Sequence, residues 1–113
     1  MFALDDEEVD AHTQVVRPAG DIEITVAGAF GWRLTNLVQA GKTLLIVDLE
    51  RVGFLDSSAL GVLMSAQRRA QSSGGGVVIS GADPSIRKVF DITGLSAVFR
   101  LHDSVDQALA TLN

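Results

Sequence analysis

The strongest constraint on this chain is the segment 43–47, Thr43-Leu44-Leu45-Ile46-Val47, which is apolar on both faces if extended. Side chains alternate across a strand, so such a run has to be covered on both sides or sheltered by neighbouring strands. After a loop over residues 50–55, helical periodicity runs from Ser57 to Ser72. Gly74-Gly75-Gly76 ends it, and Val77-Val78-Ile79-Ser80 reads as a second strand. Strand, helix and strand in this order make one right-handed parallel crossover. The centre of the fold is therefore a sheet with helices packed on it.

The rest of the chain extends this unit. Thr13-Gln14-Val15-Val16-Arg17 reads as a strand that stops at Pro18, with Gly20 turning the chain, and it is expected to pair with a strand near residues 2–6. From residue 29 onward Phe30, Leu34, Leu37 and Val38 recur at helical spacing and Gly41 supplies a stop, although Gly28 and Gly31 weaken the first turn. Asp83 as N-cap and Pro84 at the first helical position open another helix, with Ile86, Val89 and Phe90 turned inward and Gly94 beyond its end. Residues 98–101 read as a short strand. A last helix, starting near Asp103 or Ser104, turns Val105, Ala108, Leu109 and Leu112 toward the core. The expected class is α/β, with a four- to five-stranded mixed sheet and about four helices in a single domain spanning residues 1–113.

Composition narrows the function. At 113 residues, 47% apolar and 20% charged, the chain has the make-up of one self-supporting globular domain. It has no cysteine, hence no disulfide, thiol nucleophile or thiolate metal site, which suits a reducing compartment; the cytoplasm is expected. A net charge of −5 argues against nonspecific attraction to nucleic acid or an anionic membrane. A protein partner is easier to accommodate. The longest apolar run falls far short of the ~20 residues of a spanning helix. The acidic stretch from Asp5 to Asp10 is read as solvated surface.

In open α/β sheets function gathers at the carboxyl ends of the strands, a position held here by Asp56-Ser57-Ser58. A hydroxyl in the first turn of a helix lies beside free backbone N–H groups and the positive end of the macrodipole, so a phosphate there would be partly compensated. Asp56 or Ser57 as a simple N-cap is the plainer alternative. At about 100° per residue the following helix has a core face of Ala59, Leu63, Ala66 and Ala70, flanked by Leu60, Val62 and Gln67. Its other side carries Gly61, Ser65, Arg68 and Ser72 with Met64 at the edge, a surface that another protein could approach closely.

Other candidates fare less well. The Gly74-Gly75-Gly76 run lacks the lysine and hydroxyl of a phosphate-binding loop and is read as a flexible connection. His12 and His102 have no companion ligands, so no metal site is expected. Ser57, His102 and Asp103 form a hydrolytic triad only on paper, since there is no G-x-S-x-G elbow and adjacent side chains in a strand point apart. Trp32 reads as core rim.

Three segments carry a family resemblance: Gly20-Asp21-Ile22-Glu23, the stretch from Leu44 through Val47-Asp48-Leu49 to Phe54-Leu55-Asp56-Ser57-Ser58-Ala59-Leu60-Gly61, and Arg87-Lys88-Val89-Phe90 to Thr93-Gly94-Leu95. Together they resemble a STAS domain of the bacterial anti-sigma factor antagonist type, over nearly the whole chain. The resemblance implies a STAS-like fold without catalytic activity or cofactor. It implies that Ser57, rather than Ser58, accepts phosphate from an anti-sigma factor that is also a serine kinase, with Asp56 orienting it and Ser58 in support. It further implies that the unphosphorylated domain binds this kinase and releases a sigma factor for transcription. Phosphorylation breaks the complex, and a metal-dependent serine phosphatase restores it. Asp21 and Glu23 would lie near the partner interface. The chain departs from the family pattern at Ala59, usually glycine, and Glu23, usually aspartate. A non-switching STAS subunit that scaffolds a transport complex is the alternative.

Overall fold

The computed structural model describes residues 2–112, the side chain of Leu112 excepted, so the expectation that Leu112 turns inward lies outside the described residues. Five strands form one mixed sheet in the order β1-β2-β3-β4-β5, with β1 at Ala3–Glu8, β2 at Thr13–Ala19, β3 at Leu44–Asp48, β4 at Gly76–Ser80 and β5 at Leu101–His102. Among the described residues only β1 runs antiparallel, pairing with β2 from Ala3↔Ala19 to Glu8↔Gln14. The parallel strands are joined through α1 (Ile24–Gln39), α2 (Ser57–Ser72) and α3 (Pro84–Ile92). Successive right-handed crossovers that advance in one direction put all their helices on the same face. That face holds the larger core, where Phe30, Leu34, Leu63, Ala66, Ile86 and Phe90 pack on Val16, Leu45, Val47, Val77 and Ile79. The opposite face is closed by α4 (Val105–Leu112), whose Ala108 packs with Val15, Ile46 and Val78. The doubly apolar segment thus becomes the middle strand, with alternate residues in different cores.

Several expected boundaries move. Strand β2 continues through Pro18, which lies beyond Val16↔Val47, the last parallel pair with β3, where the ladder asks for no N–H on that side. Helix α1 begins five residues before residue 29, so Gly28 and Gly31, expected to weaken its first turn, lie further inside it. Gly31 is there for fit. A Cβ on it would lie 3.3 Å from both methyls of Val62, so its absence lets α1 lie close to α2. The triple glycine is likewise a fitted turn rather than a flexible connection, since a Cβ on Gly75 would fall 1.9 Å from the Thr43 carbonyl oxygen.

Residues 98–101 do not form the expected strand. A 3-10 turn occupies Leu95–Ala97, and β5 pairs only as Ile79↔Leu101 and Ser80↔His102. Phe99 is instead drawn into the core, edge-on to Phe90 with ring centroids 5.9 Å apart. The acidic stretch is largely exposed, as expected, and its part in β1 carries three ion pairs, Asp6 with Arg33, Glu7 with Arg17 and Glu8 with Lys42. Trp32 stands on the surface at 71% exposure rather than at a core rim. Among the described residues no helix is long and apolar enough to cross a membrane.

Candidate functional site

The carboxyl ends of β2 and β3 lead into two loops that run side by side. Gly20 donates its N–H to the Arg51 carbonyl at 3.0 Å and Ile22 to that of Phe54 at 2.9 Å, while Asp56 returns its own N–H to Ile22 at 3.2 Å. Parallel bridges join Ala19 with Arg51 and Ile22 with Leu55. Buried Ile22, Val52 and Leu55 anchor the seam from below. What remains above it is polar backbone, the first turns of α1 and α2, and the side chains between them.

Asp56 organises this junction. Its Oδ1 accepts the Ala59 N–H at 3.1 Å, the standard N-cap bond of α2, and also the Ser58 hydroxyl. Its Oδ2 reaches across to accept the N–H of Ile24, the first residue of α1, at 3.0 Å. Glu23 occupies the N-cap position of α1 but gives it no side-chain bond, so the carboxylate from the other loop takes part of that task. One carboxylate therefore sits between two helix N-termini, each with positive dipole character. The Ser58 hydroxyl holds the Asp56 carboxyl below its ordinary value, helped by the N–H groups of Ala59 and Ile24, against the opposing effect of partial desolvation.

Ser57 is left over. It is the exposed first residue of α2, and among the described residues its hydroxyl makes no hydrogen bond. The cap reading thus falls to Asp56, and Asp56 binds Ser58 rather than orienting Ser57 directly. Ala59 is fully buried under the first turn, so its methyl faces the core and not an approaching partner. Among the described residues no three His, Cys, Asp or Glu side chains are grouped to hold a metal ion. His102 lies half-buried on β5 with an unpartnered Nε2, and no hydrogen bond among the described residues joins it to Ser57.

The sequence profile of the STAS domain matches residues 5–108. The chain belongs to the STAS domain family. Among curated relatives, the anti-sigma-B factor antagonist of Bacillus subtilis (strain 168) is 30% identical over 83 residues, 74% of this chain and 75% of that protein. The anti-sigma F factor antagonist of Lysinibacillus sphaericus is 28% identical over 79% of this chain and 77% of its own. Among solved structures, the unphosphorylated form of the anti-sigma factor antagonist SpoIIAA superposes with a TM-score of 0.84 at 25% identity, covering 97% of this chain and 96% of that one.

Within this STAS domain the other residues singled out from the sequence divide into two groups. Asp21 and Glu23 are exposed at the seam, and the Asp21 carboxylate lies 3.7 Å from where a Gly53 Cβ would sit, so the two loops touch there as well. Gly61 and Arg68 are exposed on α2, but Met64 is half-buried against the main core and Ser65 is half-buried too. At about 1.5 Å per residue Arg68 stands roughly 16 Å along the helix from Ser57, out of reach of any group placed there. Sequence reasoning missed Ile24 and Phe54, which stand 75% and 51% exposed beside the site. Their signal was misleading, because Ile22 and Ile24 alternate like the inward positions of a strand, and only Ile22 is buried.

Proposed function

We propose that this STAS domain is an antagonist of an anti-sigma factor, controlled by phosphorylation of Ser57. Unmodified, it binds an anti-sigma factor that is also a serine kinase and so frees a sigma factor for transcription. The kinase phosphorylates Ser57 and the complex breaks; a metal-dependent serine phosphatase returns the hydroxyl. In this reading the domain is a substrate and a binding partner, with no chemistry of its own.

The observation that carries the reading is the division of labour in Asp56-Ser57-Ser58. Asp56 is committed to two helix caps and Ser58 to Asp56, whereas the Ser57 hydroxyl is exposed and unbonded. A phosphate there adds about −1.5 to −2 charges beside an ionised carboxylate. The helix N-termini ease that charge in the free domain. An interface shaped for a neutral hydroxyl meets it with repulsion and desolvation, and a penalty of about 3 kcal/mol weakens binding roughly a hundredfold.

The test is incubation of the purified chain with ATP and anti-sigma factor kinases, with peptide mass spectrometry to locate any phosphate. Ser57→Ala is expected to bind the kinase and take up no phosphate, and Ser57→Asp to bind weakly. Undiminished uptake by Ser57→Ala refutes the site. A stable complex with a transporter ATPase, without phosphate from any kinase, would favour the scaffold reading.

A further inference from the structure

We propose that the enzyme that phosphorylates Ser57 recognises a two-part apolar epitope formed by Ile24 and Phe54, exposed side chains that lie apart in sequence on the two hydrogen-bonded loops leading to the first turns of α1 and α2. This rests on the reading of Ser57 as phosphoacceptor and names what selects its kinase.

Isolated exposed apolar residues are ordinary on protein surfaces. These two are exposed at the same seam. Phe54 is the residue whose carbonyl receives the Ile22 N–H, and Ile24, two residues further on, gives its own N–H to Asp56. Both thus flank the short segment that presents Ser57. An enzyme that delivers a phosphoryl group to that hydroxyl has to cover the seam, and covering it removes both side chains from water. Side chains at the centre of such a contact, packed into a pocket and shut off from water, are where binding energy concentrates. The exposed carboxylates of Asp21 and Glu23 lie on the same pair of loops, with Asp21 against Gly53. The complementary surface is then an apolar depression rimmed by basic side chains.

The molecule contains its own control. Ile92, at the end of α3, is 74% exposed, matching Ile24, but belongs to a different helix away from the two loops. The experiment takes from a panel of anti-sigma factor serine kinases one that phosphorylates the wild-type chain at Ser57, and measures kcat and KM for Ile24→Ser, Phe54→Ser and Ile92→Ser. Ser57 is intact in all three. Ile24→Ser and Phe54→Ser are expected to raise KM at least about tenfold with kcat within about twofold, and Ile92→Ser to change neither. Urea unfolding of Ile24→Ser at the wild-type midpoint separates lost recognition from lost folding. An unchanged KM in Ile24→Ser, or an equal rise in Ile92→Ser, overturns the epitope and leaves Ser57 as phosphoacceptor. If no kinase in the panel marks the wild-type chain at Ser57, the functional reading falls and the epitope with it.

Discussion

Helices α2 and α3 begin with the same device and differ in what is added to it. In α3 the Oδ1 of Asp83 accepts the Ser85 hydroxyl at 2.7 Å and the Ile86 N–H at 2.9 Å. In α2 the Oδ1 of Asp56 accepts the Ser58 hydroxyl and the Ala59 N–H in the same pattern. The first helical residue is Pro84 in one and Ser57 in the other. Asp83 serves α3 alone among the described residues, whereas Asp56 also holds the first N–H of α1. The cap is therefore structural in both places. What sets the α2 end apart is a free hydroxyl at the first position and a second loop fastened beside it.

The comparison can be broken most sharply by Pro84→Ser, which gives α3 the same Asp-Ser-Ser opening. If the second loop matters, a kinase that fully marks Ser57 leaves the introduced hydroxyl unmarked, as peptide mass spectrometry would show. Next in size, Ser57→Asp should weaken kinase binding roughly hundredfold, while Ser85→Asp stays within about twofold in the same titration. Removing the carboxylates tests the structural half. Asp83→Ala loses one cap and should lower Tm by roughly 5 °C. Asp56→Ala frees donors in two helices and should lower it about twice as far in the same thermal scan.

The smallest effect is on pH dependence. The Ser58 hydroxyl holds Asp56, and the Ser85 hydroxyl holds Asp83, below the unfolded carboxyl value of 3.8. A carboxyl depressed in the folded state stabilises it above the unfolded value, and that stabilisation fades as pH falls through the folded one. Asp56→Asn and Asp83→Asn should each flatten the acid limb of the urea-midpoint curve below about pH 4 and leave its slope near neutrality unchanged. An acid limb as steep as wild type in both would show that these carboxylates carry little of the acid sensitivity.

Where local chemistry decides the structure, the sequence was readable. Helix α2 spans the expected residues 57–72, Asp83 and Pro84 open α3 as their types require, and the apolar segment lies mid-sheet. The errors fall where a distant contact wins. Gly31 reads only as weakening the first turn of α1 until Val62 is seen against it, and the early start of α1 rests on Asp56, more than thirty residues away in sequence. Val98 and Phe99 have strand-forming side chains, yet the ring of Phe90 claims Phe99 for the core. At the site, periodicity and capping rules pointed to the Asp-Ser-Ser segment. They could not tell which oxygen of Asp56 faces which donor, and so left open which serine stays free.

The sheet order repeats the chain order, and this has a consequence for how the molecule is made. Each strand pairs with its predecessor in sequence, so loops close over short distances and the entropy of bringing partners together stays low. A chain growing from its N-terminus can lay β2 beside β3 and bring both site loops together before β4 is synthesised. The far face is different, because α4 covers Val15, Ile46 and Val78 only after every strand has been made. Until α4 docks, a nascent chain carries a nearly complete site on an apolar, uncovered sheet, and the docking of that helix is the step that protects it from aggregation.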